Sequence, residues 1–156
     1  MTLKAQLNED LKNAMRSGDA QRRDALRMLL AAVKQGEVDS LDPDKRTSGL
    51  SEEDVIAILM REAKRRREGI EGFEKGGATE RADAERAELK LIESYLPQQM
   101  TRAEIEPLAR EAIAEAGAST PAQAGAVMQR LMPKVKGKAD GKLVSQIVRE
   151  LLGGAT

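Results

Sequence analysis

The sequence predicts an all-α protein, with an amino-terminal helical domain of about four helices followed by a small module of three shorter helices. Apolar residues recur at intervals of three and four along almost the whole chain, which is the period of one helix face. Alternating apolar runs, hairpin dipeptides and clusters of aromatic or β-branched residues, which indicate strands, are missing. Helix-start signals, glycines and prolines divide the chain into successive helices, and we predict domains at residues 1–97 and 98–156.

Two apolar stripes predict the first two helices. The first stripe consists of Leu3, Leu7, Leu11, Ala14 and Met15. The second consists of Leu26, Leu29, Leu30 and Val33. Gly18 and Asp19 separate the two helices, and Gly36 is predicted to end the second, because glycine commonly follows a helix.

Residues 39–50 are rich in turn formers and lack periodicity, so they are predicted to form the longest loop of the amino-terminal half. Ser51 with Asp54 is a variant of the helix-start box, and it opens a long, charged third helix that ends near residues 75–77. A fourth helix follows and is predicted to end at Pro97.

The remaining residues predict three shorter helices. Thr101 with Glu104 forms a capping box, and Gly117 follows the helix that it opens. Thr120 with Gln123 forms a second box ahead of a short helix. The last helix is predicted from the stripe of Val144, Ile147, Val148 and Leu151. Three short helices can enclose a small core, so these residues are expected to form a domain of their own.

The composition excludes several classes of site. The chain has no cysteine and no histidine, which removes thiol catalysis, Ser-His-Asp triads and the usual zinc and iron sites. Glu85 and Glu88 have ligand-like spacing but lack the histidines of di-iron bundles, and residues 39–44 lack the ligand and glycine positions of a calcium loop. We therefore expect no catalytic residues, no metal and no cofactor.

The sequence also gives no indication of a membrane protein. No apolar run approaches the ~20 residues needed to span a bilayer. The amino terminus is amphipathic and acidic enough to disfavour a signal or transit peptide. We expect a cytoplasmic protein with no membrane partner.

One segment is markedly basic, although 26 basic and 26 acidic residues balance over the whole chain. Between Arg130 and Arg149 there are six basic residues and one acid, Asp140. The string MPKVKGKADGK, residues 132–142, is predicted to be a flexible connector, because Pro133 is awkward inside a helix and a lysine spacing of two is not helical.

The glycines of this connector do not form a nucleotide-binding P-loop. Gly137 and Gly141 enclose three residues instead of four, and a leucine follows Lys142 where the motif needs Ser or Thr. Two interpretations stay open. The segment is either a solvated connector in which Asp140 caps the last helix, or a place where backbone amides and lysines hold the phosphates of a larger polyanion.

A secondary basic patch is predicted on the third helix. Arg61, Lys64 and Arg65 share one side of that helix by their spacing. Acidic residues are interleaved with them, which is also typical of a long exposed helix supported by ion pairs four residues apart. The expected pairs are Glu62–Arg66, Lys64–Glu68 and Arg67–Glu71.

Two segments resemble a known family. GAVMQRLMPKVKGKADGKLVSQIVRELL, residues 125–152, strongly resembles the carboxyl-terminal segment of the GatB/YqeY family, and ELKLIESYLPQQMT, residues 88–101, is similar to the junction between its two helical parts. In that family a small helical module is shared between free-standing proteins of about this length and the tail of the B subunit of the glutamine-dependent tRNA amidotransferase, where it contacts tRNA.

The resemblance implies a non-catalytic protein that associates with tRNA or another structured RNA, together with a protein partner in tRNA aminoacylation or amidation. The family is associated with carbon–nitrogen ligase activity with glutamine as amido donor, but this chain lacks the residues to catalyse it alone. An adaptor that binds a protein partner through the third helix, without RNA, is the alternative. The resemblance and the basic stretch together suggest these RNA-binding candidates: Arg130, Lys134, Lys136, Gly137, Lys138, Gly141 and Lys142.

Overall fold

The computed structural model describes residues 1–153, which are all-α, as predicted. This part of the chain contains eight α-helices, one short 3-10 helix and no strand. No helix within it is both long and apolar enough to cross a membrane. The helices are α1 (Leu3–Ser17), α2 (Ala20–Asp39), α3 (Pro43–Ser48), α4 (Glu52–Lys75), α5 (Thr79–Tyr95), α6 (Arg102–Ala116), the 3-10 helix (Pro121–Gln123), α7 (Ala124–Val135) and α8 (Gly141–Leu151).

The helices form two compact units, the first ending at Leu96 and the second beginning at Pro97. In the first unit, α1, α2, α4 and α5 enclose a core that includes Leu7, Leu26, Val33, Leu59 and Ile92. In the second unit, α6, α7 and α8 enclose a core that includes Ile105, Val127, Leu131, Val144 and Ile147. That residues 1–97 and 98–156 fold independently as domains stays a prediction.

The predicted helix starts of the second unit are present. The Thr101 hydroxyl accepts a hydrogen bond from the Glu104 amide at 3.3 Å, and the Glu104 carboxylate accepts one from the Thr101 amide at 3.3 Å. The Gln123 carboxamide oxygen accepts from the Thr120 amide at 3.2 Å, ahead of the 3-10 turn that leads into α7. Gly117 ends α6 with φ 61°, a left-handed conformation that glycine adopts without a steric penalty.

Residues 39–50 are not the extended loop that their composition predicts, because α3 occupies the middle of the segment. The Asp42 carboxylate caps α3, and Pro43 occupies the first turn, where its missing N–H is not needed. Lys45 Nζ lies 2.8 Å from Asp54 Oδ2, which ties α3 to the start of α4. Aspartate, serine and proline favour helix starts as well as turns, so the composition alone did not distinguish the two.

Gly36 does not end α2, which continues to Asp39. A Cβ atom added at Gly36 would lie 2.6 Å from Ile58 Cδ1 and 3.2 Å from Leu50 Cδ1. The glycine therefore permits close packing of Ile58 and Leu50 against α2, and it does not mark a helix end.

A buried ion cluster joins α4 to α5. Arg66 is 8% exposed, and its Nε lies 2.6 Å from a Glu88 oxygen and 3.5 Å from a Glu85 oxygen. Its Nη1 lies 3.5 Å from Glu62, so the predicted Glu62–Arg66 pair is confirmed. The two glutamates whose spacing resembles that of metal ligands therefore bind a guanidinium group.

Candidate nucleic-acid interface

The basic connector is shorter than predicted, because α7 continues through Pro133 to Val135. Proline removes one backbone hydrogen bond and usually ends or kinks a helix. Here Leu131 and Val135 are fully buried on one side of α7 and hold its last turn against the core. The connector is reduced to residues 136–140, which we call the lysine turn.

The lysine turn has a defined backbone. Gly137 has φ 78°, and the amides of Lys138 and Ala139 both donate to the Val135 carbonyl, at 2.9 and 3.1 Å. Ala139 is buried in the core of the second unit. The Asp140 carboxylate accepts from the Lys142 amide and caps α8, as one of the two interpretations expected.

Residues that precede α6 donate hydrogen bonds to backbone carbonyls of the lysine turn. The Gln99 side-chain amide donates to the Gly137 carbonyl at 3.0 Å and to the Pro97 carbonyl at 2.7 Å. The Met100 amide donates to the Lys138 carbonyl at 2.7 Å. The sequence did not identify Gln99 or Met100, because no local pattern links residues almost forty positions apart. The only signal was that both lie in a segment that resembles the family.

The lysine side chains differ in their surroundings. Lys134 lies on α7, 3.8 Å from Glu111 and 3.7 Å from Glu115, so part of its charge is compensated within the second unit. Lys138 and Lys142 are exposed, and no carboxylate of residues 1–153 lies within 4.0 Å of either ammonium group. These two residues carry the charge that is most available to an external anion.

The other candidates lie around this turn. Arg130 is exposed on α7, four residues before Lys134 and therefore on the same side of the helix. Lys136 is exposed at the end of α7. Gly141 begins α8 and has no positive φ, and the nearest atom to an added Cβ would be Met132 Cε at 4.0 Å, so a side chain would fit at this position. The structure thus gathers Gly137, Lys138, Gly141 and Lys142 at the start of α8, with Lys134 and Arg130 further back along α7.

The secondary basic patch lies in the first unit, in a groove of about 920 Å³ between α2 and α4. Arg61, Lys64 and Arg65 all line this α2–α4 groove. Arg65 lies 3.3 Å from Glu62. Arg61 and Lys64 have no carboxylate of the described residues within 4.0 Å, so the predicted Lys64–Glu68 pair is not formed.

A metal site is not indicated in the part of the chain that the structure describes, where no group of three or more carboxylates is arranged to hold an ion.

Curated relatives cover about sixty percent of the chain. The sequence is 36% identical over 92 residues to the protein "Altered inheritance of mitochondria protein 41, mitochondrial" of Eremothecium gossypii, which covers 59% of this chain and 48% of that protein. It is 31% identical over 102 residues to the protein of the same name in Lachancea thermotolerans, covering 65% and 52%. The chain spans about half the length of the curated relatives that it matches.

These relatives contradict the predicted cytoplasmic location, because their names place them in mitochondria. The prediction rested on the absence of a long apolar run and on the composition of the amino terminus, and neither feature distinguishes the cytosol from another aqueous compartment. The cytoplasmic assignment is therefore corrected, and the mitochondrial location is that of the named relatives.

The family resemblance is confirmed over nearly the whole chain. The model of the family described as Yqey-like protein matches residues 4–152, which include both compact units, the α2–α4 groove and the lysine turn. The chain belongs to the Yqey-like protein family.

Proposed function

We propose that this protein is a non-catalytic RNA-associating protein whose second unit contacts the backbone of tRNA or another structured RNA at the lysine turn. The observation that carries the proposal is the turn itself. Hydrogen bonds from Gln99 and Met100 hold its backbone, while Lys138 on the turn and Lys142 in the first turn of α8 are exposed and have no carboxylate partner among residues 1–153.

The charge distribution supports contact with phosphate groups. Phosphate contacts from lysine supply most of the sequence-independent affinity of nucleic-acid binding. A turn whose backbone is already ordered loses little further backbone entropy when its side chains bind. The neutral overall charge of the chain restricts such an attraction to local clusters.

The composition defines the kind of RNA contact. The only two aromatic residues are Phe73 and Tyr95, and both belong to the first unit, so the second unit has no ring on which a base could stack. The proposed contact is therefore with the shape and backbone of a folded RNA. Chemistry on that RNA, including tRNA amidation, would fall to a protein partner, since the chain has no histidine or cysteine.

The test is a double variant, Lys138→Gln with Lys142→Gln, measured for tRNA binding between 50 and 200 mM salt. We expect weaker binding and a log–log salt slope that is less steep by about 1.4 to 1.8, since each lost phosphate contact contributes about 0.7 to 0.9. The matched control is Lys12→Gln with Lys90→Gln, which removes the same charge from exposed positions on α1 and α5. Unchanged affinity and slope in the first variant, or equal losses in both, would refute the proposal.

A further inference from the structure

The α2–α4 groove is an open surface whose lining includes small and apolar residues. Ala32 and Gly36 of α2 and Ala57 and Ile58 of α4 contribute small or apolar surface, together with Leu50 from the segment before α4. α1 packs mainly against α2, and α5 packs mainly against α4, yet neither contributes a lining residue. Apolar surface of this kind favours a protein partner over phosphate groups.

The charged lining also disfavours a polyanion. Four basic side chains (Lys45, Arg61, Lys64, Arg65) and four acidic ones (Asp39, Asp54, Glu62, Glu68) line the groove, a net charge of zero. Phosphates would meet carboxylates as often as cations.

Four of these charged residues lack an ion pair among residues 1–153, two basic and two acidic. Arg61 and Lys64, on α4, have no carboxylate within 4.0 Å among residues 1–153. Across the groove on α2, Asp39 has no ion pair in the same residues and accepts only a hydrogen bond from Gln35 at 2.8 Å. Glu68, further along α4, also lacks an ion pair there. A partner with acidic side chains toward Arg61 and Lys64 would pair charges that the described residues leave open.

The dimensions fit one helix. The lining residues of α4 run from Asp54 to Glu68, an axial length of about 21 Å at 1.5 Å per residue. The groove is therefore long enough for a helix of about 14 residues.

We propose that the α2–α4 groove binds an amphipathic helix of a protein partner, with a small apolar face against Ala32 and Ala57 and an acidic flank along Arg61 and Lys64. This site lies in the first unit and does not depend on the RNA contact proposed for the second. A partner that binds in this way would carry a small apolar face with acidic side chains beside it.

The test uses helical 14-residue peptides that share an Ala/Leu face and carry Glu, Gln or Lys along one flank. We expect the Glu peptide to bind about tenfold more tightly than the Lys peptide, since two surface ion pairs are gained and two repulsions avoided. The double variant Arg61→Glu with Lys64→Glu should reverse this order. Circular dichroism of each variant establishes that the fold is retained.

A second pair of variants tests the groove itself. Ala57→Arg fills an exposed lining position and should abolish binding, whereas Ala31→Arg, exposed on α2 outside the lining, should not. No binding by any peptide, equal affinity for the Glu and Lys peptides, or equal effects of the two arginine variants would overturn the proposal. Loss of tRNA affinity in the double glutamate variant, with no peptide binding, would assign the groove to RNA and also overturn it.

Discussion

Replacing Arg66 with alanine should destabilise the first unit by roughly 2–4 kcal/mol. Arg66 is 8% exposed, and its guanidinium group lies within 3.5 Å of three carboxylates, from Glu62 on its own helix and from Glu85 and Glu88 on α5. Alanine would leave Glu85 and Glu88 without a counter-charge, while Glu62 would keep its ion pair with Arg65. It would also remove the packing of the arginine methylene groups.

The magnitude follows from the burial of each partner. Removing one member of a fully buried pair costs about 3–5 kcal/mol, because the other charge is left without compensation. The side chains of Glu85 and Glu88 are 27% and 29% exposed, so water can partly rehydrate them. The expected loss of unfolding free energy is therefore about 1 kcal/mol smaller than for a fully buried pair. Arg67 is the matched control, since it is 42% exposed and lies 3.3 Å from Glu93, and Arg67→Ala should cost no more than about 1 kcal/mol.

Urea unfolding followed by tyrosine fluorescence measures this difference. Tyr95 is the only tyrosine of a chain without tryptophan, and it lies on α5 of the first unit, so the signal reports unfolding of that unit. We expect a clearly lower midpoint for Arg66→Ala than for Arg67→Ala, with the slope of the transition unchanged. Equal losses of unfolding free energy in the two variants would refute the argument that burial makes the Arg66 cluster important.

Two further predictions concern Tyr95 and the lysine turn. Burial, followed by the hydrogen bond that the Tyr95 hydroxyl donates to Asp10, raises the pKa of Tyr95 from 10.0 to about 12. Since the folded-state pKa is the higher one, this stabilisation is complete below pH about 10 and is lost as the pH rises toward 12. Absorbance of the phenolate should titrate near 12 in the native protein and near 10 in urea, and a native midpoint near 10 would contradict the structure. Gly137→Ala should destabilise the second unit by about 1–2 kcal/mol because φ is 78°, whereas Gly141→Ala, whose glycine has no positive φ, should change its stability by less than about 0.5 kcal/mol. Thermal melting followed by circular dichroism compares the two variants, and equal melting temperatures would show that the turn tolerates a side chain at Gly137.

Local signals in the sequence were sufficient for most of the helices. The capping box of Thr101 and Glu104 and the stop at Gly117 were read correctly, because their hydrogen bonds join residues within one helical turn. The same local rules failed at residues 39–50, where turn-forming residues build α3. They also failed at Pro133, where buried residues of α7 outweigh one missing hydrogen bond.

Such local rules do not predict ion pairs between different helices. The sequence predicted Arg67 to pair with Glu71 on the same helix, but Arg67 contacts Glu93 on α5, and Glu71 contacts Lys75. Arg66, expected on an exposed surface, is buried. A sequence pattern specifies which residues share one side of a helix, whereas burial depends on which helix packs against that side.

The sequence by itself determined the helical class, the family and the identity of the basic residues, because apolar period, capping signals and the string at residues 125–152 are all local properties. Only the tertiary structure decided what those residues face. It paired Lys134 with glutamates of α6, left Lys138 exposed on a turn held by Gln99 and Lys142 exposed at the start of α8, and placed Arg61 and Lys64 along a groove. The availability of a charge depends on neighbours that are distant in sequence, so it follows from the packing of the helices.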